Sequence, residues 1–247
     1  MAAAADSSYI LVKSIVRPNK VDDVKDALVR LYADGRFGSL GMTVTEVRGH
    51  GKQKGHTAIY RGEEYNVSLL PKMRIEVVAP RHAGESLEKT IIDAARTGEI
   101  GDGRVFVHPV YDFRSIHTGE LLSADSTLPD SQHRIYTAVV RPSKVDDVKD
   151  KLKPLYEEKK LENIGMTVTE VRGHGKEKGH NVIYLAQEHN VFFFPKMKID
   201  VVVPGSIGNE VSNAMVQAAR TGKIGDGRVW WMPVEDSFRI RTGERQL

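Results

Sequence analysis

A glycine-rich segment that ends in an arginine is the first feature of this sequence that could do chemistry. Gly98, Gly101 and Gly103 fall within six residues, and Arg104 follows directly. Glycine adopts positive φ freely, so such a segment can turn several backbone N–H groups toward one anion, with the guanidinium beside them. The segment is therefore either a phosphate-binding nest or an ordinary structural turn. It is neither a Walker loop nor a dinucleotide fingerprint, because it follows a predicted helix instead of opening one.

A second candidate is the long segment of residues 51–71, which is rich in Lys, Gly and Tyr. It contains the basic run KQKGH (52–56) and the aromatic run YRGEEY (60–65). This composition predicts an exposed, mobile loop whose aromatic side chains contact a partner, and a disordered insertion is the alternative. No carboxylate cluster accompanies His50 and His56 or their repeats, His174 and His180, which disfavours a metal site at these histidines.

Several classes of function are excluded or disfavoured by what the sequence lacks. There is no cysteine, which excludes disulfides, thiolate catalysis and cysteine-ligated zinc and fits a reducing, cytoplasmic compartment. No Ser-His-Asp set and no carboxylate pair at a recognisable spacing is present, so we predict that the chain is not an enzyme, a weak ATPase included. The net charge of +3, with basic and acidic residues interleaved, argues against nucleic-acid binding. No apolar run approaches the ~20 residues that span a bilayer, so no membrane insertion is expected.

The chain is a tandem repeat with an offset of 124 residues. The run GMTVTEVRGHGK (41–52) recurs unchanged at 165–176, and TGEIGDGR (97–104) returns as TGKIGDGR (221–228). A period of this length indicates duplication of a whole domain. The N-terminal residues lack the basic and apolar regions of a signal peptide. We predict a disordered tail over residues 1–8, a first domain over 9–118, a polar linker over 119–132 and a second domain over 133–247.

Within a repeat, the hydrophobic periods alternate between those of strands and those of helices. The element order β-α-β-β-α-β is that of the ferredoxin-like fold, in which two helices cover one face of an antiparallel sheet. We therefore predict an α+β protein of two tandem ferredoxin-like domains, each with a long loop between its middle strands. In repeat 1 the predicted strands are 9–16, 42–47, 73–78 and 105–110, and the predicted helices are 21–32 and 87–95.

These segments together resemble the PII signal-transduction family over nearly all of both repeats. The motifs GMTVTEVRGHGKQKGH, YRGEEY, LLPK and TGEIGDGRVFVHPV follow one another in repeat 1 in the order of that family, and repeat 2 carries variants of them. The long loop corresponds to the T-loop of the family. The resemblance implies a trimer with ATP or ADP in clefts between neighbouring domains, and with Mg²⁺ and 2-oxoglutarate beside the ATP phosphates.

The resemblance also implies roles for particular residues. Thr43 and Glu76 would hold the adenosine, Arg17 and Lys72 would receive the 2-oxoglutarate carboxylates, and Gln53 would complete the coordination of Mg²⁺ and 2-oxoglutarate. The other implied nucleotide-binding residues are Lys52, Gly101, Asp102, Gly103, Arg104, Thr167, Lys176, Gly225, Asp226, Gly227, Arg228, Arg239 and Arg241, and Lys54 and Gly55 complete the implied 2-oxoglutarate site. Tyr65 matches a position that some bacterial members uridylylate, and Glu63 replaces a serine that some cyanobacterial members phosphorylate.

The two repeats depart from the family pattern in complementary ways. Repeat 2 keeps Arg239 and Arg241, which in the family would reach the phosphates of the neighbour's nucleotide, whereas repeat 1 has Ser115 and His117 there. Conversely, the position of Gln53 is a glutamate in repeat 2. If like repeats pair, the repeat 2 loop meets the two arginines, and if unlike repeats pair, the repeat 1 loop meets them. Both arrangements are compatible with the sequence.

The resemblance implies a non-enzymatic sensor of ATP or ADP and 2-oxoglutarate whose T-loops regulate a partner in nitrogen or carbon metabolism, such as an ammonium transporter or a biosynthetic enzyme. The alternative is a structural or scaffolding paralogue that has lost effector sensing. Two domains of one chain cannot close a ring of three, whereas three chains supply six domains and close two rings. We therefore predict a homotrimer that forms a pseudo-hexamer of domains.

Overall fold

The computed structural model describes two compact units. Side chains are described for residues 7–33, 35, 37, 41–49, 69–123, 132–159, 165–175 and 193–235, and the backbone alone for 56–60, 63–67, 181–184 and 187–190. The first unit, called the N-terminal unit, comprises residues 11–108 and 173–175. The second, called the C-terminal unit, comprises the described residues of 1–10, 109–172 and 176–247.

The elements of repeat 1 follow the predicted order, with a pair of short strands added between the two middle strands. They are β1 (Tyr9–Val16), α1 (Val21–Tyr32), β2 (Met42–Gly49), β3 (His56–Tyr60), β4 (Glu63–Val67), β5 (Leu70–Pro80), α2 (Gly84–Ala95) and β6 (Gly103–Ser115). In α1, apolar residues at helical spacing bury Val24 and Leu28, and acidic residues in the first turn complement the helix dipole. Leu87 and Ile91 do the same for the buried face of α2.

Repeat 2 forms a parallel set of elements. They are β7 (His133–Val140), α3 (Val145–Glu158), β8 (Met166–His174), β9 (Asn181–Tyr184), β10 (Gln187–Asn190), β11 (Phe194–Pro204), α4 (Gly208–Ala219) and β12 (Gly227–Val234). Helix α3 continues through Pro154, where repeat 1 has Arg30. Among the described residues, no helix combines the length and the apolar character that crossing a bilayer requires.

The strands of each unit lie in a corresponding order. In the N-terminal unit the order is the first part of β6, then β1, β5 and β2, and β2 pairs antiparallel with β5 so that Thr43 lies opposite Glu76. In the C-terminal unit the order is β8, β11, β7, β12 and the second part of β6, and β7 pairs antiparallel with both β11 and β12. The predicted α+β character of both repeats is confirmed.

Strand β6 contributes to the core of the C-terminal unit. Tyr111 and Ile116 belong to repeat 1 in sequence, but they are buried in a cluster with residues of repeat 2, among them Trp231 and Met215. The Tyr111 ring stacks on the Trp231 ring at a centroid distance of 4.8 Å. The segment after β6 folds back on it, since Leu122 N donates to Phe113 O at 2.7 Å. The end of repeat 1 is therefore packed with repeat 2, and the predicted domain boundaries stay a prediction.

The long segment between the middle strands contains regular structure that the sequence did not indicate. Strands β3 and β4 pair antiparallel from His56 opposite Val67 to Tyr60 opposite Glu63. In repeat 2, β9 and β10 form the corresponding hairpin. The reading of residues 51–71 as a loop without strands was therefore wrong for these ten residues, because the runs HTAIY and EEYNV are too short and too mixed to show a strand period.

Candidate functional site

Two glycine loops, residues 97–104 (the repeat 1 loop) and 221–228 (the repeat 2 loop), each lead from a helix into a strand. Gly103 has φ +118°, and a Cβ added there would lie 1.7 Å from the carbonyl oxygen of Ile15. A Cβ added at Gly227 would lie equally close to the carbonyl oxygen of Val139. The last glycine of each loop is thus required by close approach to a neighbouring strand, whatever else the loop binds.

The repeat 1 loop is organised around the carboxylate of Asp102. Its Oδ2 accepts hydrogen bonds from the backbone N–H groups of Thr97 at 2.8 Å and Gly98 at 2.9 Å. Its Oδ1 accepts the Thr97 hydroxyl at 2.5 Å and Arg17 Nε at 3.0 Å. The hydroxyl bond of Thr97, followed by its backbone N–H, lowers the pKa of Asp102 far below the ordinary value. Asp102 therefore holds the loop in shape, and its carboxylate is turned toward the loop's own donors.

The two cations predicted for 2-oxoglutarate lie at this loop. Lys72 Nζ donates to Gly101 O at 2.7 Å, and Arg17 Nη2 donates to Ile100 O at 2.9 Å. Burial lowers the pKa of Lys72, the nearby Arg17 lowers it further, and Asp102 opposes both. Arg17, Lys72 and the glycine loop thus meet, and both cations donate to the loop's backbone carbonyls.

The repeat 2 loop repeats this arrangement with a fully buried carboxylate. Asp226 accepts the backbone N–H groups of Thr221 and Gly222, the Thr221 hydroxyl, and Arg141 Nε at 3.1 Å. Lys196 Nζ donates to Gly225 O at 2.7 Å. Burial alone would raise the pKa of Asp226, but the hydrogen bonds together outweigh it and lower that pKa.

The arginines that end the two loops differ in their surroundings. Arg104 is exposed and makes no hydrogen bond or ion pair with any described residue. Arg228 is half-buried, its guanidinium carbon lies 5.2 Å from the centroid of the Phe113 ring, and burial lowers its pKa. The Phe113 ring in turn lies 4.9 Å from the ring of Tyr9. The sequence analysis did not predict Tyr9 or Phe113 as site residues. The signal that could have indicated Phe113 is the difference between the repeats, since repeat 2 has Ser237 at the corresponding position.

In repeat 1, Ser115 and His117 take the positions that Arg239 and Arg241 have in repeat 2. The structure places this part of repeat 1 beside the repeat 2 loop. Ser115 lies opposite Arg228 in the β6–β12 pairing, and Ile116 N donates to Gly227 O at 3.1 Å. The Nδ1 atom of His117 is buried without a hydrogen-bond partner among the described residues. Within the C-terminal unit, a loop of one repeat is thus faced by the C-terminal segment of the other.

The residues predicted to hold the adenosine lie on neighbouring strands. Glu76 is buried, and its Oε2 lies 3.3 Å from Arg74 Nε. On β6, burial lowers the pKa of His108, as does the charge of Lys13, while Glu76 opposes them. In repeat 2, Thr167 is exposed and Asp200 replaces Glu76, where it accepts the Thr137 hydroxyl at 2.6 Å.

Several predicted site residues lie outside the described part of the chain. These are Lys52, Gln53, Lys54, Gly55, Lys176, Arg239 and Arg241. Tyr65 lies in β4 opposite Ala58, with its backbone alone described. Among the residues described, no group of three His, Cys, Asp or Glu side chains could hold a metal ion. The described side chains alone would therefore not hold a Mg²⁺ ion.

Comparisons with known proteins match both repeats of the chain to one family. The family model described as "Nitrogen regulatory protein P-II" matches residues 9–120 and again 134–244. The chain is 49% identical over 109 residues to nitrogen regulatory protein P-II 1 of Escherichia coli K12, covering 44% of this chain and 92% of that protein. It is 50% identical over 109 residues to nitrogen regulatory protein P-II of Nostoc punctiforme, with the same coverage.

A solved structure of Arabidopsis thaliana PII bound to citrate matches with 34% identity over 48% of this chain and 90% of that chain, at a TM-score of 0.37. The relatives match about half of this chain each, whereas the family model matches both halves. The chain therefore belongs to the nitrogen regulatory P-II family, whose proteins are regulators rather than enzymes, and it carries the family's domain twice.

Proposed function

We propose that this protein is a non-enzymatic sensor that binds ATP or ADP at its glycine loops. The observation that carries the proposal is the repeat 1 loop. Asp102, Arg17 and Lys72 already fix its backbone, and Arg104 lies exposed beside it. A loop that is ordered before the anion arrives loses little entropy on binding, and a free guanidinium offers charge-assisted bonds to phosphate.

In this proposal the phosphates lie against the loop backbone from Gly101 to Gly103 and against Arg104, with Lys52 nearby. Asp102 acts indirectly, as the anchor of the loop. Thr43 and Glu76 take the adenosine, because a buried carboxylate can accept two ribose hydroxyls. The corresponding residues of repeat 2 are Thr167, Lys176, Gly225, Asp226, Gly227 and Arg228, and Arg239 and Arg241 would approach a phosphate from a neighbouring domain.

We further propose that 2-oxoglutarate binds beside the ATP phosphates together with Mg²⁺. A dicarboxylate next to a triphosphate needs a hard cation and fixed positive groups to offset the repulsion. Lys72 and Arg17, the latter ion-paired with Asp102 and Glu99, supply the cationic groups at the loop, and Gln53, with Lys54 and Gly55, would complete the site. Gln53 occurs only in repeat 1, so 2-oxoglutarate sensing belongs to that repeat.

The bound effectors would set the shape of the T-loops and so the choice of partner, which requires different effector affinities in the different loop states. An ammonium transporter or a metabolic enzyme is the expected partner, and Tyr65 is a possible modification site. We propose a cytoplasmic homotrimer with six domains of ferredoxin-like fold. The strand order β6, β1, β5, β2 in the N-terminal unit supports that fold.

A scaffolding role without sensing is the second candidate. The surroundings of the repeat 2 loop favour it, since Ser115 and His117 bring no permanent charge there and Arg228 already lies on an aromatic ring. On this alternative neither loop would bind nucleotide, and the domains would serve assembly alone.

Calorimetry with Mg-ATP, followed by 2-oxoglutarate, separates the two candidates. We expect ATP to bind, and 2-oxoglutarate to bind only when Mg-ATP is present. The Gln53→Ala variant should lose 2-oxoglutarate binding and keep ATP binding largely unchanged, because the amide oxygen serves the metal and the dicarboxylate rather than the nucleotide. Absence of ATP binding to the wild-type protein would favour the scaffold, and normal 2-oxoglutarate binding to Gln53→Ala would remove the assigned role of that residue.

A further inference from the structure

We infer that the two glycine loops are functionally unequal: the repeat 2 loop is a covered, low-affinity anion site, and tight phosphate binding belongs to the repeat 1 loop. The cover is a segment of repeat 1, residues 111–119, here called the covering segment. The inference rests on the proposed nucleotide binding and adds which loop performs it.

The covering segment lies along the repeat 2 loop from its exit to its start. At the exit, Ser115 is paired with Arg228, and Ile116 N donates to Gly227 O. Near the start, a Cβ added at Gly119 would find Arg220 Nη1 at 3.5 Å. The side chain of Ile116 is fully buried. The segment is therefore packed into the unit and could not be displaced without exposing core.

The cationic group of the covered loop is already engaged. The guanidinium of Arg228 lies over Phe113, and its pKa is lowered by burial and raised only by the neighbouring Tyr9. Drawing this guanidinium to a phosphate would forfeit the cation–π contact with a desolvated aromatic ring. The residues beside it, Ser115 and His117, offer no permanent charge in exchange.

The internal repeat allows the arginines of the two loops to be compared. Arg104, the counterpart of Arg228, is exposed and has no partner among the described residues. At an offset of 124 residues the counterparts of Phe113, Ser115 and His117 are Ser237, Arg239 and Arg241. The covering segment therefore has no guanidinium at the two positions where its counterpart in repeat 2 has one each.

The covering segment is also matched to repeat 2 and mismatched to repeat 1. Tyr111 stacks on Trp231, whose counterpart in repeat 1 is Val107. Arg114 Nη1 donates to Asn213 Oδ1 at 2.7 Å, and the counterpart of Asn213 is Lys89, a cation that cannot accept this bond. The same segment placed on a repeat 1 loop would lose the stack and meet a like charge, so the cover is specific for the repeat 2 loop.

The inference predicts one tight ATP site per chain, measured by equilibrium dialysis of the full-length protein with labelled Mg-ATP. Arg104→Ala should weaken the tight site by about tenfold or more, the worth of one charge-assisted bond to phosphate. Arg228→Ala, its counterpart in the covered loop, should weaken only the low-affinity binding at that loop. A variant combining Phe113→Ser, Ser115→Arg and His117→Arg should gain a second tight site, because it frees Arg228 and adds two guanidiniums.

Circular dichroism and the thermal midpoint of each variant verify that it is folded. Trp230 and Trp231, the only tryptophans of the chain, report on the covered loop, since Trp230 lies 6.5 Å from Phe113. ATP should leave their emission unchanged in the wild type and change it in the triple variant. Two equal sites in the wild type, or equal losses in Arg104→Ala and Arg228→Ala, would overturn the inference and leave the sensor function standing. Absence of any ATP binding would overturn both.

Discussion

The carboxylates of Asp102 and Asp226 show how single residues prepare a glycine loop for its ligand. Each accepts four hydrogen bonds, three from its own loop and one from an arginine of another element, and so holds the loop backbone in place before a ligand arrives. From the motif TGxIGDGR and the resemblance, Arg17, Lys72 and the loop were predicted to lie in one site. The motif and the resemblance did not indicate that the aspartate faces inward, because the orientation of a side chain depends on the donors that the folded loop presents. Nor did they indicate that Phe113 lies under Arg228, since that contact joins residues of different repeats.

The fully buried Asp226 should make a large and pH-dependent contribution to stability. Asp226→Asn should cost roughly 3 kcal/mol at pH 7, as expected when one partner of a buried pair is removed. Because the pKa of Asp226 is lowered in the folded state, its contribution is present above the unfolded pKa, near 4, and is lost as the pH falls toward the folded pKa.

Urea denaturation of the wild type and the variant at pH 7 and at pH 3 measures this difference, which should narrow at the lower pH. Asp102→Asn serves as the matched control in the partly exposed loop and should have a smaller effect. A variant as stable as the wild type at pH 7, or a gap that widens on acidification, would contradict the assignment.

Among the elements, strand β6 differs most from its sequence-based prediction. Helix α1 and strand β1 occupy the predicted residues, because their apolar periods are uninterrupted. Strand β6 was predicted to end at residue 110 and runs to Ser115, beyond Pro109 and through Asp112, which has φ +49°. Its second half is stabilised by packing in the C-terminal unit, and no local pattern carries that information.

We predict that Tyr111→Ala destabilises the protein by about 3–5 kcal/mol, as for other buried aromatic side chains. The side chain is almost fully buried and stacks on Trp231, so its removal leaves a cavity in the core. The same variant should alter tryptophan fluorescence before any denaturant is added.

Leu121→Ala, in the exposed residues that follow the same strand, is the control and should change stability by less than about 0.5 kcal/mol. Guanidinium denaturation followed by circular dichroism gives both values. Similar losses for the two variants would mean that the end of β6 is not part of the core.

For the whole molecule, the offset of 124 residues correctly indicated two copies of one domain, and the family model matches both. How the copies associate depends on contacts between chains, which no internal repeat can show. We predict a trimer of chains, because three is the smallest number of two-domain chains that fills rings of three domains with none left over.

Light scattering coupled to gel filtration at micromolar concentration should therefore give three times the mass of one chain. The mass should not depend on concentration over a tenfold range, as expected for a closed ring. A stable monomer or dimer under these conditions would contradict the proposed assembly.

The burial of Tyr111 and Ile116 in the C-terminal unit has a consequence for the history of the gene. Deleting the second copy would expose the aromatic end of β6 to water, and deleting the first would take a strand and two core side chains from the second. Once substitutions that fit one copy to the other have accumulated, a return to a single-copy ancestor requires several simultaneous changes. Selection for folding alone then preserves both copies, and a loop can lose its ligand without the copy that carries it being lost.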